Sequence, residues 1–261
     1  MISFGTRAHS ELRRRQLKLM DHVFYKGEWM ENGENSAHSP TVFLAEQPPN
    51  CELVPHFHRQ NQFQLFVEGK GLIGQEGLGP VTVHYAGAYT GYGPILSAGA
   101  WLKYFTIRSV FDTGLTPNTE WREKMVRGPK RHASASAGHP WPVERLITLQ
   151  DIQRETVIAP DEGLGAELFR LPPNTAQHLL PIAGSVGQFI FVLAGTALIE
   201  GTELSLWDSA FLPAPDGEVQ IAAGGQGAEV IALHMPETAE QYLARSPAAA
   251  ATQSSRNETP V

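Results

Sequence analysis

Short runs of alternating apolar and polar residues, broken every few positions by Gly, Pro or Asn, set the rhythm of this chain. In the N-terminal half they fall at Thr41 to Glu46, Gln62 to Val67, Val81 to Tyr85 and Leu102 to Arg108, each of strand length and bounded by turn residues. The C-terminal half repeats the rhythm at Ala166 to Leu171, Gln188 to Leu193, Leu204 to Leu206 and Glu229 to Leu233. Helical periodicity is confined to Ser10 to Val23, with Arg13-Arg14-Arg15 on its solvated face, to a turn near Trp121, and to Glu237 to Arg245. Many short strands and little helix predict an all-β protein built from closed or sandwiched antiparallel sheets, with a short N-terminal helix.

An internal repeat organises these strands. A shift of 126 positions, which brings Pro55 onto Pro181, lays PHFHRQNQFQLFVEGKGLI over PIAGSVGQFIFVLAGTALI, with Pro, Gln, Phe, Gly, Leu and Ile recurring at matched places. Pro48-Pro49-Asn50 echoes Pro172-Pro173-Asn174 at nearly the same offset. The expected organisation is a lead-in with the helix (residues 1–39), a first β unit (40–110), a linker (111–145) containing the soft stretch Ala133 to Gly138, a second β unit (146–236) and a tail (237–261) too poor in apolar residues to fold.

Composition narrows the partners. The 261 residues carry 20 Lys and Arg against 27 Asp and Glu, and a net charge of -7 argues against a general affinity for nucleic acid or anionic membranes. No stretch approaches the roughly 20 apolar residues that cross a bilayer, and the N-terminus has no apolar signal core, so a cytoplasmic protein is expected. Cys51, the single cysteine, excludes an intrachain disulfide and reads as a small buried hydrophobe.

Candidate chemistry gathers in the first copy. Side chains alternate along a strand, so His56 and His58 point the same way, and Gln62 and Gln64 form a second same-face pair. If that face is interior, four polar groups converge. Imidazoles with an oxygen ligand and open positions suit Fe, Mn, Ni, Cu or Zn. His84 is the other first-copy histidine that could join them. In VTVHYAG it lies opposite Val81, Val83 and Tyr85, and its alternative reading is an ordinary surface or hydrogen-bonded histidine. Phe63, Phe66, Tyr89, Tyr92, Trp101 and Tyr104 are candidates for cavity walls or for core. The second copy has Ile182 and Gly184 in place of the histidines, keeps Gln188, and is expected to be packed and without a site. His178 reads as a loop or edge residue.

The segment PHFHRQNQFQLFVEGKG resembles the first motif of the cupin superfamily, in which His-x-His precedes a carboxylate and a glycine turn. His56, His58 and Gly69 match, whereas Gln62 stands where the superfamily usually has Glu. The second-motif histidine is missing near Ser97 and Ala98, and Glu218 falls near its place in the second copy. The resemblance implies two tandem jelly-roll barrels, a bicupin, that forms a homodimer. It implies a divalent transition metal on His56, His58, Gln62 and His84, with Gln64, Tyr92 and Tyr104 positioning a small organic substrate for dioxygenase, isomerase or lyase chemistry. The incomplete ligand set keeps open a metal-free, non-catalytic binding or sensor protein, and a metal-free enzyme with His56 or His58 as general base.

Overall fold

The computed structural model describes residues 1–19, 21–31, 40–112, 114–117, 130–214, 218–238 and 240–241. The turn expected near Trp121, most of the helix expected over Glu237 to Arg245, and the tail lie outside the described residues.

Strands β1 (Ser3–Gly5), β2 (Arg15–Leu19), β3 (His22–Glu31), β4 (Thr41–Gln47), β5 (Glu52–Leu53), β6 (His56–Phe57) and β7 (Gln62–Glu68) open the chain. They are followed by β8 (Gly71–Ile73), β9 (Glu76–Leu78), β10 (Thr82–Ala86), β11 (Ile95–Ser97), β12 (Leu102–Arg108), β13 (Thr116–Pro117) and β14 (His132–Ser136). A seven-stranded sheet runs β14-β10-β7-β12-β4-β3-β2, a four-stranded sheet runs β5-β11-β8-β9, and β13 pairs β6. The C-terminal half supplies β15 (Gln153–Asp161), β16 (Leu164–Leu171), β17 (Ala176–Leu179), β18 (Ser185–Ile199), β19 (Thr202–Leu204), β20 (Ser209–Pro213) and β21 (Val219–Pro236). These form an eight-stranded sheet ordered β1-β20-β18-β21-β16-β15, with β17 on β21 and β19 on β18.

Two expectations are corrected. The N-terminal helix is only α1 (Arg7–Leu12), whose Thr6 hydroxyl caps it by accepting from the His9 N–H at 3.2 Å. Arg15 to Leu19 is instead a strand paired with β3, from Arg15↔Lys26 to Leu19↔His22. Its period-two alternation, with Leu17 and Leu19 on one side, wins because β3 offers a free edge to pair with. The soft stretch assigned to the linker is likewise β14, paired with β10 from Thr82↔Ser136 to Ala86↔His132. Small side chains suit it there, since Ala133 and Ala135 pack on the core. Helix α2 (Val143–Ile147) follows.

Parity then divides the first sheet. Phe63, Leu65 and Val67 of β7, Val83 and Tyr85 of β10, and Phe105 and Ile107 of β12 belong to one buried cluster with Phe189, Phe191, Ile231 and Leu233 of the C-terminal sheet. That face is the shared core. The opposite face of β7, carrying Gln62 and Gln64, looks into the interior of the N-terminal half.

The repeat is visible in backbone detail. Gly69 has φ +88°, and a Cβ there would lie 2.2 Å from the Trp101 carbonyl oxygen. Gly195, its counterpart, has φ +70° and would meet the Gly227 oxygen at 2.1 Å. Asn50 and Asn174 both take positive φ, and their N–H groups donate to Ala98 and Gly224, which are again 126 positions apart.

Candidate functional site

Strand β6 holds His56 through a backbone bridge to Tyr92, with N···O distances of 3.1 and 3.0 Å, and the His58 carbonyl accepts from the Tyr89 N–H at 2.7 Å. Both imidazoles are buried, with ring centroids 5.3 Å apart.

Donor and acceptor roles can be assigned because Arg108 can only donate. Its Nη2 donates to Gln62 Oε1 at 2.5 Å, which turns Gln62 Nε2 toward the Tyr92 hydroxyl at 2.7 Å. The Tyr92 hydroxyl meets His56 Nε2 at 2.9 Å, and His56 Nδ1 meets the Val54 carbonyl at 2.7 Å. A carbonyl only accepts, so Nδ1 carries the proton and Nε2 accepts from Tyr92. A second arm runs from Arg108 to His58 Nε2 at 3.4 Å, and from His58 Nδ1 to Asp112 Oδ1 at 3.2 Å. Asp112 also accepts from the N–H groups of Arg59, Gln60 and Gly114.

The electrostatics follow the geometry. Burial lowers the pKa of His56 to about 4 against the Val54 hydrogen bond, with Arg108 adding to the fall. Burial and Arg108 lower His58 to about 3 despite Asp112. Burial alone would raise Asp112, but its hydrogen bond to His58, the charges of His58 and Arg108, and the Gly114 N–H hold it at about 2. Burial also lowers Arg108 and raises Tyr92. The site therefore contains two neutral imidazoles, one carboxylate and one guanidinium.

His84 faces the same interior as Gln62 and Gln64, directly across from Gln64 in the β10–β7 register. It is fully buried, its Nδ1 meets the Ser134 hydroxyl at 2.8 Å, and its ring lies 5.0 Å from Tyr92 and 4.7 Å from His132. Burial, then His132 and His56, lower its pKa to about 3. Among the described residues, His84 Nε2 and Gln64 Oε1 are buried without a hydrogen-bond partner. A cavity of about 460 Å³ lies beside this cluster, lined by His56, His58, Gln62, Gln64, Tyr92, Tyr104, Thr106, Arg108 and Asp112, with strands β2 and β3 and with Phe111, Gly114 and Leu115 forming further walls. Of the six candidate wall aromatics, Tyr92 and Tyr104 line it. Phe63 points into the shared core, Phe66 packs in the cluster that also holds Tyr92 and Tyr104 without lining the cavity, and Tyr89 and Trp101 lie elsewhere.

Sequence reasoning missed Arg108 and Asp112. Arg108 was within reach, because Tyr104, Thr106 and Arg108 share one face of β12 and Tyr104 was already a candidate. Asp112 lies beyond the strand end, where periodicity carries no signal.

The interior of the C-terminal half is not wholly apolar. His234, Glu167 and Gln188 are buried beside a cavity of about 140 Å³, and Arg154 grips Glu167 at 3.0 and 2.5 Å. Gln188 pairs with His234 in register, and these positions match Gln62 and Arg108 under the repeat. The Ile182 N–H donates to His234 Nδ1, so the neutral ring carries its proton on Nε2, facing Glu167 Oε2 at 3.7 Å. His178 lies on β17, an edge strand, and contacts Glu218.

No protein-family model and no curated protein matches the sequence. Solved structures do match in three dimensions. A proposed dioxygenase from Nostoc punctiforme superposes with a TM-score of 0.58 at 11% identity, covering 90% of this chain and 79% of that one. A mutant of Bacillus subtilis oxalate decarboxylase gives 0.58 at 10%, covering 94% and 82%. Escherichia coli pirin YhhW, solved in complex with nickel(II), gives 0.53 at 14%, covering 91% and 100%. The chain has the cupin fold.

Whether this cupin fold holds a metal depends on its own donors, and the observed set does not fit a divalent cation. Both His56 nitrogens are engaged, and His58 lies between a guanidinium and a carboxylate. The remaining unclaimed atoms, Gln64 Oε1 and His84 Nε2, are neutral. A dication about 4 Å from the Arg108 charge would meet a repulsion on the order of 8 kcal/mol at an effective dielectric near 20. Among the described residues no cluster of three His, Cys, Asp or Glu is arranged to hold a metal ion.

Proposed function

We propose that this protein is a two-unit cupin whose first unit binds a small organic molecule without a metal ion. The observation that carries the reading is the Arg108 guanidinium, with Nη2 on Gln62 Oε1 and against the His58 ring, where the sequence motif leads one to look for a cation-ligand centre. A buried guanidinium already places a positive charge in the site, and the surrounding volume falls within the range of small-molecule pockets. In this reading His56, His58, Gln62 and Tyr92 form a fixed hydrogen-bonded floor that orients the ligand, with Gln64 and Tyr104 in the wall. The fold leaves the chemistry open, since one fold hosts many activities.

Elemental analysis tests the reading. Protein purified without a histidine tag is expected to hold less than about a tenth of an equivalent of Fe, Mn, Ni, Cu or Zn, unchanged after incubation with nickel or zinc and desalting. The double variant Gln62→Glu/Arg108→Ala removes the cation and supplies a carboxylate beside two histidines, so it is expected to take up metal under the same treatment. Near-stoichiometric metal in the unaltered protein would sink the proposal.

A further inference from the structure

We infer that the molecule taken by this cavity is an organic anion, with a compact apolar body and one carboxylate or equivalent acid group set against the unclaimed side of the Arg108 guanidinium. The inference rests on the metal-free reading above and adds the ligand's charge and the contact that reads it.

Charge favours an anion. The cavity walls carry Lys18, Lys26 and Arg108 against Asp112, three cations and one anion, a local excess of +2 in a chain whose net charge is -7. Lys26 is paired with Glu28 at 2.6 Å, which leaves Lys18 and Arg108 against Asp112, still an excess of positive charge. Asp112 does not satisfy Arg108 directly. Its oxygens are taken by His58 and by three backbone N–H groups, and it reaches the guanidinium through the His58 ring.

The donors of Arg108 point the same way. A guanidinium has five N–H groups. Nη2 spends its two on Gln62 and His58, and among the described residues no hydrogen bond reaches Nη1 or Nε. Buried N–H donors without acceptors are costly, and charge-assisted pairs with an anion are among the strongest available. A carboxylate on the open Nη1 supplies such a pair, whereas a neutral amide offers a weaker acceptor and a ligand cation would be repelled. The rest of the cavity is apolar, with Leu17, Leu19, Phe24, Phe43, Phe111 and Leu115 in its walls, so the acid group must be borne on a hydrophobic body.

Matched probes test this on the full chain. Phenylacetate with phenylacetamide, and hexanoate with hexanamide, are titrated by protein-observed NMR at near-neutral pH. The acids are expected to bind at least about tenfold tighter than their amides, to move the Arg108 Nε–H signal, and to lose their advantage in Arg108→Gln. The Nε–H measurement uses unaltered protein and stands even if that variant fails to fold. Amides that bind as tightly as acids would overturn the anion inference while leaving a small-molecule pocket in place. Acids that bind without moving the Arg108 signal, or that keep their advantage in Arg108→Gln, would overturn Arg108 as the contact. If neither probe pair nor a charge-unbiased fragment set binds the cavity, the pocket reading itself falls, and the inference with it.

Discussion

A histidine buried beside a guanidinium is held neutral by two effects of the same sign, loss of hydration and repulsion between cations, and the cost appears when the solution turns acidic. Burial, first in each case, lowers His56 and His234 to about 4 and His58 and His84 to about 3. With an unfolded value near 6.5, the unfolded chain binds more protons than the native one between that pH and the folded pKa. Stability contributed by these neutral rings is present above about pH 6.5 and is lost as pH falls toward 3 to 4. From pH 7 to pH 5 each such ring is expected to remove about 2 kcal/mol. Asp112, whose folded pKa is depressed, loses its contribution only below the unfolded carboxylate range, so it does not confuse this window. Urea unfolding at the two pH values checks the expectation. The acid-induced loss in His84→Gln should be smaller than in the unaltered protein by about 2 kcal/mol; equal losses in the two would show that His84 is not held neutral. At this scale the sequence disclosed the residue types but not their roles. His56 and His58 stand out because their spacing is a motif, whereas Arg108, about fifty positions away, joins them only through the alternation of β12 that sets it on the face of Tyr104.

Between β7 and β8 the chain turns on Gly69, whose positive φ disfavours an L side chain and whose close contact with the Trp101 carbonyl leaves no room for one. The contact is with backbone, so no rotamer change relieves it. Gly69→Ala is therefore expected to destabilise by about 2 to 4 kcal/mol, read as a lowered thermal midpoint, whereas Gly77→Ala, where no atom lies within 4 Å, should stay within about 0.5 kcal/mol. A Gly69→Ala midpoint matching that control would refute the close approach. The glycine was legible in the sequence as part of the motif, and its repeat partner Gly195 as part of the shift; the carbonyls they face were not. Element type failed where two periods compete over a short window. Arg13 to Leu19 has enough apolar residues for a helical stripe, and only the neighbouring edge of β3 selects the strand. In β14, Ala and Ser carry so weak a local preference that pairing with β10 decides alone.

Alternation along a strand says that one face is buried, and not against what. Both copies showed alternating strands, but the face of the first copy that carries Phe63, Leu65, Phe105 and Ile107 is closed by Phe189, Phe191, Ile231 and Leu233 of the second. Phe105 stands at the junction, 4.8 Å from Trp29 and 4.9 Å from Phe191 between ring centroids, and the Trp29 indole donates to the Trp207 carbonyl at 3.0 Å. Neither half could expose that face without leaving a large apolar surface in water, and β1, from the start of the chain, pairs with β20 near its end. The two units should therefore unfold together. Phe105→Ala is expected to cost about 3 to 5 kcal/mol and, in calorimetry, to shift one transition whose van't Hoff and calorimetric enthalpies agree. Two transitions, with only the one belonging to the first unit displaced, would show instead that each half carries its own stability and that the shared face is a docking of independent units. Cooperative unfolding matters to the site because β12, the strand that carries Phe105 into the shared core, also carries Tyr104, Thr106 and Arg108 into the cavity, so the position of the guanidinium is fixed by packing on the opposite side of the same strand.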